Sequence, residues 1–219
     1  MKKLIFATAN KGKAREASEI LGKDYTLVLP SEIGIEGEAE ETGLSFRENS
    51  ELKARYIYDR LKEAGRESFS GVFADDSGLE VDALGGEPGI YTARYAGGDK
   101  NFRDNMDKLL RKLKEAGADT PGARKARFQC SVTLIDADGK ASFSEGCLEG
   151  HIAFERSGSG GFGYDPVFIP DDGELNRLTC FGISREAVDK VKGKTLAEIP
   201  EEWKNLISHR YKALKGIRL

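Results

Sequence analysis

Residues 127–148, RFQCSVTLIDADGKASFSEGCL, contain two runs that are rich in apolar and β-branched side chains. The pair Asp138-Gly139 separates the two runs, and this dipeptide is typical of the tight turn in a β-hairpin. The stretch therefore predicts two antiparallel strands, Arg127–Ile135 and Ala141–Leu148. Because the rest of the chain mixes strands with helices, an antiparallel pair predicts an α/β fold with a mixed, twisted sheet.

Further apolar runs and helical patterns complete the predicted architecture. Strands are predicted at Lys2–Thr8, Tyr25–Leu29, Val72–Asp76, Leu79–Leu84 and Tyr164–Ile169. Helices are predicted at Lys11–Leu21, from Ser45 to about Ala64, at Asn101–Glu115 and at Glu198–Lys215. Ser45 and Glu48 have the spacing of a capping box, which starts the second of these helices.

Composition and charge exclude several classes of function. The 219 residues carry a formal net charge of −3, so we expect no nucleic-acid partner. No apolar run approaches about 18 residues, and the start of the chain does not fit a secretion signal, so we expect no membrane partner. Cys130, Cys147 and Cys180 form no CxxC pair, which predicts reduced thiols in a cytoplasmic protein.

A glycine-rich stretch, RSGSGGFGYDP at residues 156–166, has the Gly-x-Gly-x-x-Gly spacing of a dinucleotide-binding loop. That spacing is a fingerprint only where a strand leads into it and a helix opens at the glycines. Here a strand-like run follows, which argues against a nicotinamide or flavin oxidoreductase. A loop that approaches a ligand closely remains an alternative.

The first candidate site is Thr8-Ala9-Asn10-Lys11-Gly12-Lys13, between a predicted strand and a predicted helix. The N-terminus of a helix offers N–H groups and a positive dipole end to an anion. The side chains of Thr8, Asn10 and Lys13 would add donors to the same phosphate. The alternative is a capped helix with a solvated lysine, because this is not a Walker A sequence.

The second candidate site is Asp75-Asp76-Ser77-Gly78, at the end of a predicted strand. Adjacent strand side chains point to opposite faces, so the two aspartates are expected to have different roles. One can bind Mg²⁺ or accept a proton from water, and Glu40 and Glu41 supply distant carboxylates. The alternative is a turn whose side chains bond its own backbone.

The third candidate site is Ser208-His209-Arg210 on the last predicted helix, with Lys204 one turn earlier. Neighbouring helix residues do not face each other, so the serine and histidine make no hydrolytic triad. A solvated polar helix face is the alternative.

Five motifs occur together and in order: TANKGKAREASEIL, EETGLSFRENSELKA, ADDSGLEVDALGGEPGIYTARYAG, GGFGYDPVF and ISHRYKAL. With them the chain, from Met1 to about Lys215, resembles the inosine/xanthosine triphosphate pyrophosphatases. These enzymes remove deaminated purine nucleotides such as ITP, dITP and XTP from the nucleotide pool. The resemblance implies one domain over residues 1–219, an elongated mixed twisted sheet with flanking helices, two lobes around a central cleft, and a homodimer.

The resemblance also assigns roles to individual residues. The triphosphate set is Thr8, Ala9, Asn10, Lys11, Gly12, Lys13 and Lys53. Glu41 and Asp76 would hold Mg²⁺, with Asp76 also the general base and Ser77 beside the substrate. The purine set is Phe162, which would stack on the base, with Gly163, Tyr164, Asp165, Lys204, His209 and Arg210. Arg210 carries only N–H donors, which suits the 6-oxo group of hypoxanthine or xanthine and not the 6-amino group of adenine.

The proposed reaction converts a nucleoside triphosphate and water to the monophosphate and pyrophosphate; the sequence leaves open which phosphorus is attacked and what excludes GTP. A non-catalytic nucleotide sensor is one alternative, and a pyrophosphatase for modified pyrimidines is another. The carboxylates argue against the first and the purine motifs against the second. Residues 174–193 depart from the family pattern as an expected insert, which could cap the cleft or extend the dimer contact.

Overall fold

The structure, a computed structural model, describes residues 2–65, 69–98 and 101–217. Six strands form one sheet in the order β2-β1-β3-β4-β5-β6. They are β1 (Lys2–Phe6), β2 (Tyr25–Val28), β3 (Gly71–Val81), β4 (Lys125–Asp136), β5 (Ala141–Ile152) and β6 (Phe168–Pro170). Strand β1 pairs in parallel with β2 and β3, whereas β5 and β6 are antiparallel. The predicted α/β class with a mixed sheet is confirmed.

Seven α-helices lie within the described residues. They are α1 (Lys11–Leu21), α2 (Phe46–Glu63), α3 (Phe102–Glu115), α4 (Asp172–Asn176), α5 (Arg185–Asp189), α6 (Glu201–Ile207) and α7 (His209–Gly216). Helix α2 begins after Ser45, whose side chain accepts from the Glu48 N–H as predicted. In the described part of the chain, no helix is both long enough and apolar enough to span a bilayer.

The chain divides into two compact units. Within the described residues, unit 1 is drawn from Met1–Ser77, Cys130–Gly146 and His209–Leu219, and unit 2 from Gly78–Gln129 and Cys147–Ser208. The prediction that residues 1–219 form one two-lobed domain stays a prediction, and part of that range lies outside the described residues.

In unit 1, helices cover both faces of the sheet, and alternate residues of each strand face opposite ways. Phe6 and Phe73 belong to a core cluster with residues of α1 and α7. Ile5, Val72 and Ala74 belong to a second cluster with residues of α2. This alternation continues along β3 and therefore assigns Asp75 to the α1 and α7 face and Asp76 to the α2 face.

Unit 2 has its own core, built around the apolar side of α3. The expected insert at residues 174–193 contributes to this core, because Leu175, Leu178, Val188 and Val191 are all buried in it. The segment is thus packed into unit 2 by its apolar side chains.

Three predicted elements differ from the structure. Over Tyr164–Ile169, where one strand was predicted, a 3₁₀ turn at Asp165–Val167 precedes β6, which begins at Phe168. Instead of two strands around Ser77-Gly78, β3 runs without a break from Gly71 to Val81, so the aspartates lie within a strand and not at its end. Instead of one last helix, α6 and α7 are separated at Ser208, whose backbone is extended with φ −61° and ψ 149°. The polar face that the continuous helix would have presented is therefore absent.

Candidate functional site

The loop between β1 and α1 is closed by the side chain of Asn10. Its Oδ1 accepts from the N–H groups of Gly12 at 2.9 Å and Lys13 at 3.1 Å, and its own N–H donates to the Thr8 hydroxyl at 3.1 Å. The helix is therefore capped, and two N–H groups that an anion could have used already have a partner. Phosphate binding by residues 8–13 stays a prediction; the side chains of Thr8 and Lys13 are half-buried, and those of Asn10 and Lys11 are exposed.

Asp75 is the centre of a buried charge cluster. Its carboxylate accepts from Lys13 Nζ at 3.2 Å, from Arg210 Nε at 3.0 Å and from the Ser77 hydroxyl at 3.0 Å, although only 3% of the residue is exposed. Burial acts to raise the pKa of Asp75, but the charges of Lys13 and Arg210 outweigh it and hold the pKa well below its ordinary value. This aspartate is ionised and occupied by cations, which suits a structural role.

Arg210 is fully enclosed in unit 1. Besides Asp75 it contacts the Glu16 carboxylate through Nη1. Burial would lower the pKa of Arg210, but the two carboxylates raise it, so the guanidinium is always charged. Burial and the Arg210 charge hold the pKa of the adjacent His209 far below its usual range, so its imidazole is neutral. Arg210 and Lys13 both donate to Asp75, which joins the two cations. The predicted hydrogen bond from Arg210 to a purine oxygen would have to come from the N–H groups that Asp75 and Glu16 do not use.

Asp76, on the opposite face of β3, meets Lys53 from α2. Lys53 Nζ lies 2.7 Å from Asp76 Oδ1 and 3.3 Å from Glu41 Oε1. Burial raises the pKa of Asp76 above its ordinary value, and the nearby Lys53 charge only partly offsets this effect. Burial acts to lower the pKa of Lys53, but Asp76 and the other acids raise it. The site combines an aspartate of raised pKa with a charged lysine.

The predicted metal ligands fit a magnesium ion. Glu41 and Asp76 are both paired with the Lys53 ammonium, so the two carboxylates already converge on one cation. Mg²⁺ prefers oxygen ligands and is usually held by one or two carboxylates together with substrate phosphates and water. Residues 2–65, 69–98 and 101–217 contain no group of three or more His, Cys, Asp and Glu side chains that could hold a metal.

The loop that carries Glu41 is anchored to the first turn of α2. The Gly43 N–H donates to Asn49 Oδ1 at 2.8 Å, and the Leu44 N–H donates to Glu48 Oε2 at 2.7 Å. Asn49 is buried, and a Cβ on Gly43 would lie 2.7 Å from its Oδ1. The capping box predicts that the Glu48 carboxylate accepts from the N–H of Ser45, but in the structure it accepts from the N–H of Leu44. The role of Asn49 was not predicted.

In unit 2, Asp165 joins the predicted purine residues. Its Oδ2 accepts from Lys204 Nζ at 2.8 Å and from the Phe162 N–H at 3.0 Å. Lys204 Nζ also lies 5.7 Å from the centroid of the Phe162 ring. Phe162 is 53% exposed, whereas Asp165 and Lys204 are buried. The arrangement presents an uncovered aromatic face beside a cation that only donates hydrogen bonds.

Tyr164 is a core residue of unit 2 and presents no side-chain surface to a ligand. It is 1% exposed, its hydroxyl donates to the Thr92 carbonyl at 3.0 Å, and its ring packs edge-to-face against Phe102. The neighbouring Gly163 has φ +66°, a conformation that favours glycine. The predicted contribution of these two residues to binding thus rests on their backbone.

The glycines of residues 156–163 approach the chain itself. A Cβ on Gly158 would lie 2.7 Å from the carbonyl carbon of Ala197, and a Cβ on Gly160 would lie 2.9 Å from its oxygen. At these two positions the close approach for which glycine is needed is therefore to the backbone of Ala197 and not to a ligand. A 3₁₀ turn at Asp165–Val167 and then β6 follow, so no α-helix opens at the glycines, as expected.

Carboxylates beside a lysine suit a phosphorylated ligand with a bound cation, and, separately, an exposed ring beside a buried lysine suits a planar aromatic group. The chain belongs to the Ham1 family, whose model matches residues 4–218. It is 41% identical over 219 residues to the dITP/XTP pyrophosphatase of Halalkalibacterium halodurans, covering 99% of this chain and 97% of that protein. It is 40% identical over 218 residues to the dITP/XTP pyrophosphatase of Bacillus subtilis, covering 99% and 96%.

Solved structures of the family are also similar to this one. The Staphylococcus aureus Ham1 protein is 36% identical and superposes with a TM-score of 0.75, covering 98% of this chain and 95% of that one. A HAM1 protein from Coxiella burnetii is 32% identical with a TM-score of 0.77 and the same coverage. The fold and the family predicted by the five motifs are thereby confirmed.

Proposed function

We propose that this protein hydrolyses non-canonical purine nucleoside triphosphates, dITP, ITP and XTP, to the monophosphate and pyrophosphate, and so keeps deaminated purines out of DNA and RNA. The observation that carries the proposal is the pairing of Asp76 and Glu41 on Lys53, in a chain whose relatives are named dITP/XTP pyrophosphatases. Mere binding of a nucleotide needs no such carboxylate pair, which disfavours a sensor.

Asp76 is the general base of the proposed reaction. Burial raises its pKa, which makes it a better proton acceptor than an ordinary aspartate. A proton of the attacking water passes to an Asp76 carboxylate oxygen, the water oxygen bonds to phosphorus, and the bridging bond between the α- and β-phosphates breaks. Lys53 stays charged beside Asp76 and orients that carboxylate by the 2.7 Å hydrogen bond.

The charge of the triphosphate requires cations. Lys53 and Lys13, with the side chains of the loop at residues 8–13, are proposed to bind its oxygens. Glu41 and Asp76 would hold Mg²⁺, which when bound neutralises charge on phosphate oxygens. Ser77 follows Asp76 on β3, and its hydroxyl donates a hydrogen bond to Asp75. This hydrogen bond fixes the Ser77 side chain next to the proposed general base, Asp76.

The purine set is proposed to receive the base of the substrate. Phe162 offers a stacking surface that every purine can use, and Arg210, as the sequence predicts, together with Lys204 offers donors that a 6-oxo purine accepts and a 6-amino purine does not. A site that hydrogen-bonds a substrate group can discriminate by about 10⁴ against an analogue that lacks it. We therefore expect ITP, dITP and XTP to be cleaved far faster than ATP.

The test is a panel of triphosphates assayed by phosphate release in the presence of added inorganic pyrophosphatase, on the wild type and on Asp76→Asn. Loss of a general base commonly removes about 10²–10⁴ of the rate. A folded Asp76→Asn protein with more than a tenth of wild-type turnover would contradict the role of Asp76. An ITP-to-ATP ratio of kcat/KM near one would contradict the substrate class.

We further propose a cytoplasmic homodimer in which residues 1–219 act as one domain. The resemblance of the five motifs supports the dimer, and three free cysteines support a reducing compartment. Burial raises the pKa of the Cys130 thiol to about 12, so it is an unreactive packing residue. Light scattering under reducing conditions that gives the mass of one chain at micromolar concentration would refute the dimer.

A further inference from the structure

The segment Lys194–Ile199, KTLAEI, belongs to none of the roles assigned so far, yet it is tied to the loop at residues 156–163. Thr195 is 2% exposed. Its hydroxyl lies 2.9 Å from the carbonyl oxygen of Ser157 and 3.0 Å from Glu198 Oε2. Glu198 Oε2 also accepts from the Thr195 N–H at 3.0 Å. We call Thr195 and Glu198 the latch.

Further contacts join the latch segment to the same loop. The Gly160 N–H donates to the Ala197 carbonyl at 3.1 Å. Hydrogen bonds from Thr195 and from the Ser157 side chain lower the pKa of Glu198, so the Glu198 carboxylate is held ionised by groups from both segments. The segment Lys194–Ile199 is thus connected to the loop at two separate positions, to Ser157 through Thr195 and to Gly160 through Ala197.

The glycines show how close this contact is. Any side chain at Gly158 or Gly160 would collide with the backbone of Ala197, at 2.7 and 2.9 Å from its nearest atom. The loop has no regular secondary structure of its own up to Gly160, and so its position depends on the segment against which it packs. Two residues beyond Gly160 the loop presents Phe162, which is 53% exposed.

We propose that Thr195 and Glu198 are positioning residues, which hold the loop at residues 156–163 so that the exposed Phe162 ring is fixed to receive a purine. The purine part of this inference rests on the proposed function. Thr195 and Glu198 belong to neither the purine set nor the triphosphate set. Thr195 acts through the backbone of Ser157, while the neighbouring Ala197 carbonyl holds Gly160. Stacking is shared by every purine, so the latch sets affinity for the base and leaves discrimination between bases unchanged.

The test compares Thr195→Val, which removes the hydroxyl at nearly constant volume, with Thr195→Ser, which keeps it. We expect Thr195→Val to raise KM for ITP, dITP and XTP by about tenfold, the equivalent of one hydrogen bond. We expect kcat to stay within about twofold, because the interaction is the same in the ground state and the transition state. Thr195→Ser should restore the wild-type KM.

Hydrogen exchange in the absence of nucleotide tests the latch independently of activity. The Gly160 N–H should exchange about tenfold faster in Thr195→Val than in the wild type, because the loop loses the hydrogen bond between the Thr195 hydroxyl and the Ser157 carbonyl. Gly160→Ala tests the close approach without changing Thr195, and the same rise in KM is expected. The matched controls are Thr179→Val, whose hydroxyl bonds only the Asn176 carbonyl in its own turn, and Gly122→Ala, which has open space around its Cβ.

An unchanged KM together with unchanged exchange at residues 157–163 in Thr195→Val would overturn the proposal, even if that variant melted at a lower temperature. Exchange that accelerates in the loop while the wild type hydrolyses no purine triphosphate would refute the proposed function and leave the latch standing. A rise in KM of equal size in Thr179→Val would also overturn the proposal.

Discussion

The substitution Asp75→Asn is expected to destabilise the fold more than any other change at the candidate site. Asp75 is enclosed and accepts from two cations, Lys13 at 3.2 Å and Arg210 at 3.0 Å. An asparagine has nearly the same shape but carries no charge, and its nitrogen would face donors at one of the two positions. The change therefore leaves Arg210, which is 2% exposed, with Glu16 as its remaining carboxylate.

The size of the effect follows from the burial. Removing one partner of a buried ion pair costs about 3–5 kcal/mol in the free energy of unfolding. The Lys13 side chain is 19% exposed and can turn toward water, and Glu16 still compensates Arg210, so the lower end of about 3 kcal/mol applies. In a chain of 219 residues each kcal/mol shifts the melting temperature by about 2–4 °C, which gives a decrease of about 6–12 °C.

Melting curves of both proteins over a range of pH measure this difference. The folded-state pKa of Asp75 is lowered, so its ionised form stabilises the fold above its ordinary value of 3.8, and this stabilisation is lost as the pH falls below that value through the folded-state pKa. The gap between wild type and Asp75→Asn should therefore be constant from about pH 8 to about pH 5 and narrow only at lower pH.

The adjacent Asp76→Asn is the matched control. Asp76 has one lysine partner, and its pKa is raised and not lowered, so its substitution should cost less stability than Asp75→Asn and far more turnover. If Asp75→Asn melted within about 2 °C of the wild type, or if the two substitutions were equally destabilising, the assignment of a structural role to Asp75 would be refuted.

Three further predictions concern the acidic side of β3. Since burial raises the pKa of Asp76, kcat should fall on acidification at a pH above 3.8. In Lys53→Met the lysine charge that lowers this pKa is gone, so the residual activity should fall at a still higher pH. A pH–rate profile of each protein measures these two values. EDTA should stop turnover without changing the circular dichroism spectrum, since Lys53 already compensates Glu41 and Asp76; loss of secondary structure in EDTA would argue against this compensation. Asn49→Ala should raise the Mg²⁺ concentration for half-maximal activity by about tenfold and reduce the thermal shift caused by Mg²⁺. Asn49→Asp keeps the acceptor for the Gly43 N–H and should have a smaller effect on both quantities. Equal effects of both variants would exclude a role of that hydrogen bond.

Features that depend on residues close together in the chain followed from the sequence by itself. The hairpin turn at Asp138-Gly139, the start of α2 after Ser45 and the boundaries of α1 are examples. In each of these, a turn or cap satisfies backbone groups a few residues away, so the local sequence contains the whole interaction. The five motifs, in their order along the chain, were also enough to identify the family, because few other families share so long a series of motifs.

Features that depend on distant residues were decided by the tertiary structure. Arg210 meets Asp75 across 135 positions of sequence and Lys13 meets it across 62, because α1 and α7 pack on the face of β3 from which Asp75 projects. Neither the continuity of β3 through Ser77-Gly78 nor the contact of Gly160 with Ala197 has a local signal. In β3, pairing with neighbouring strands overrides the local turn preference of Asp-Ser-Gly. At Gly160, close packing against the backbone of Ala197 selects glycine. Strand pairing and backbone packing stabilise the protein only once distant parts of the chain have come together.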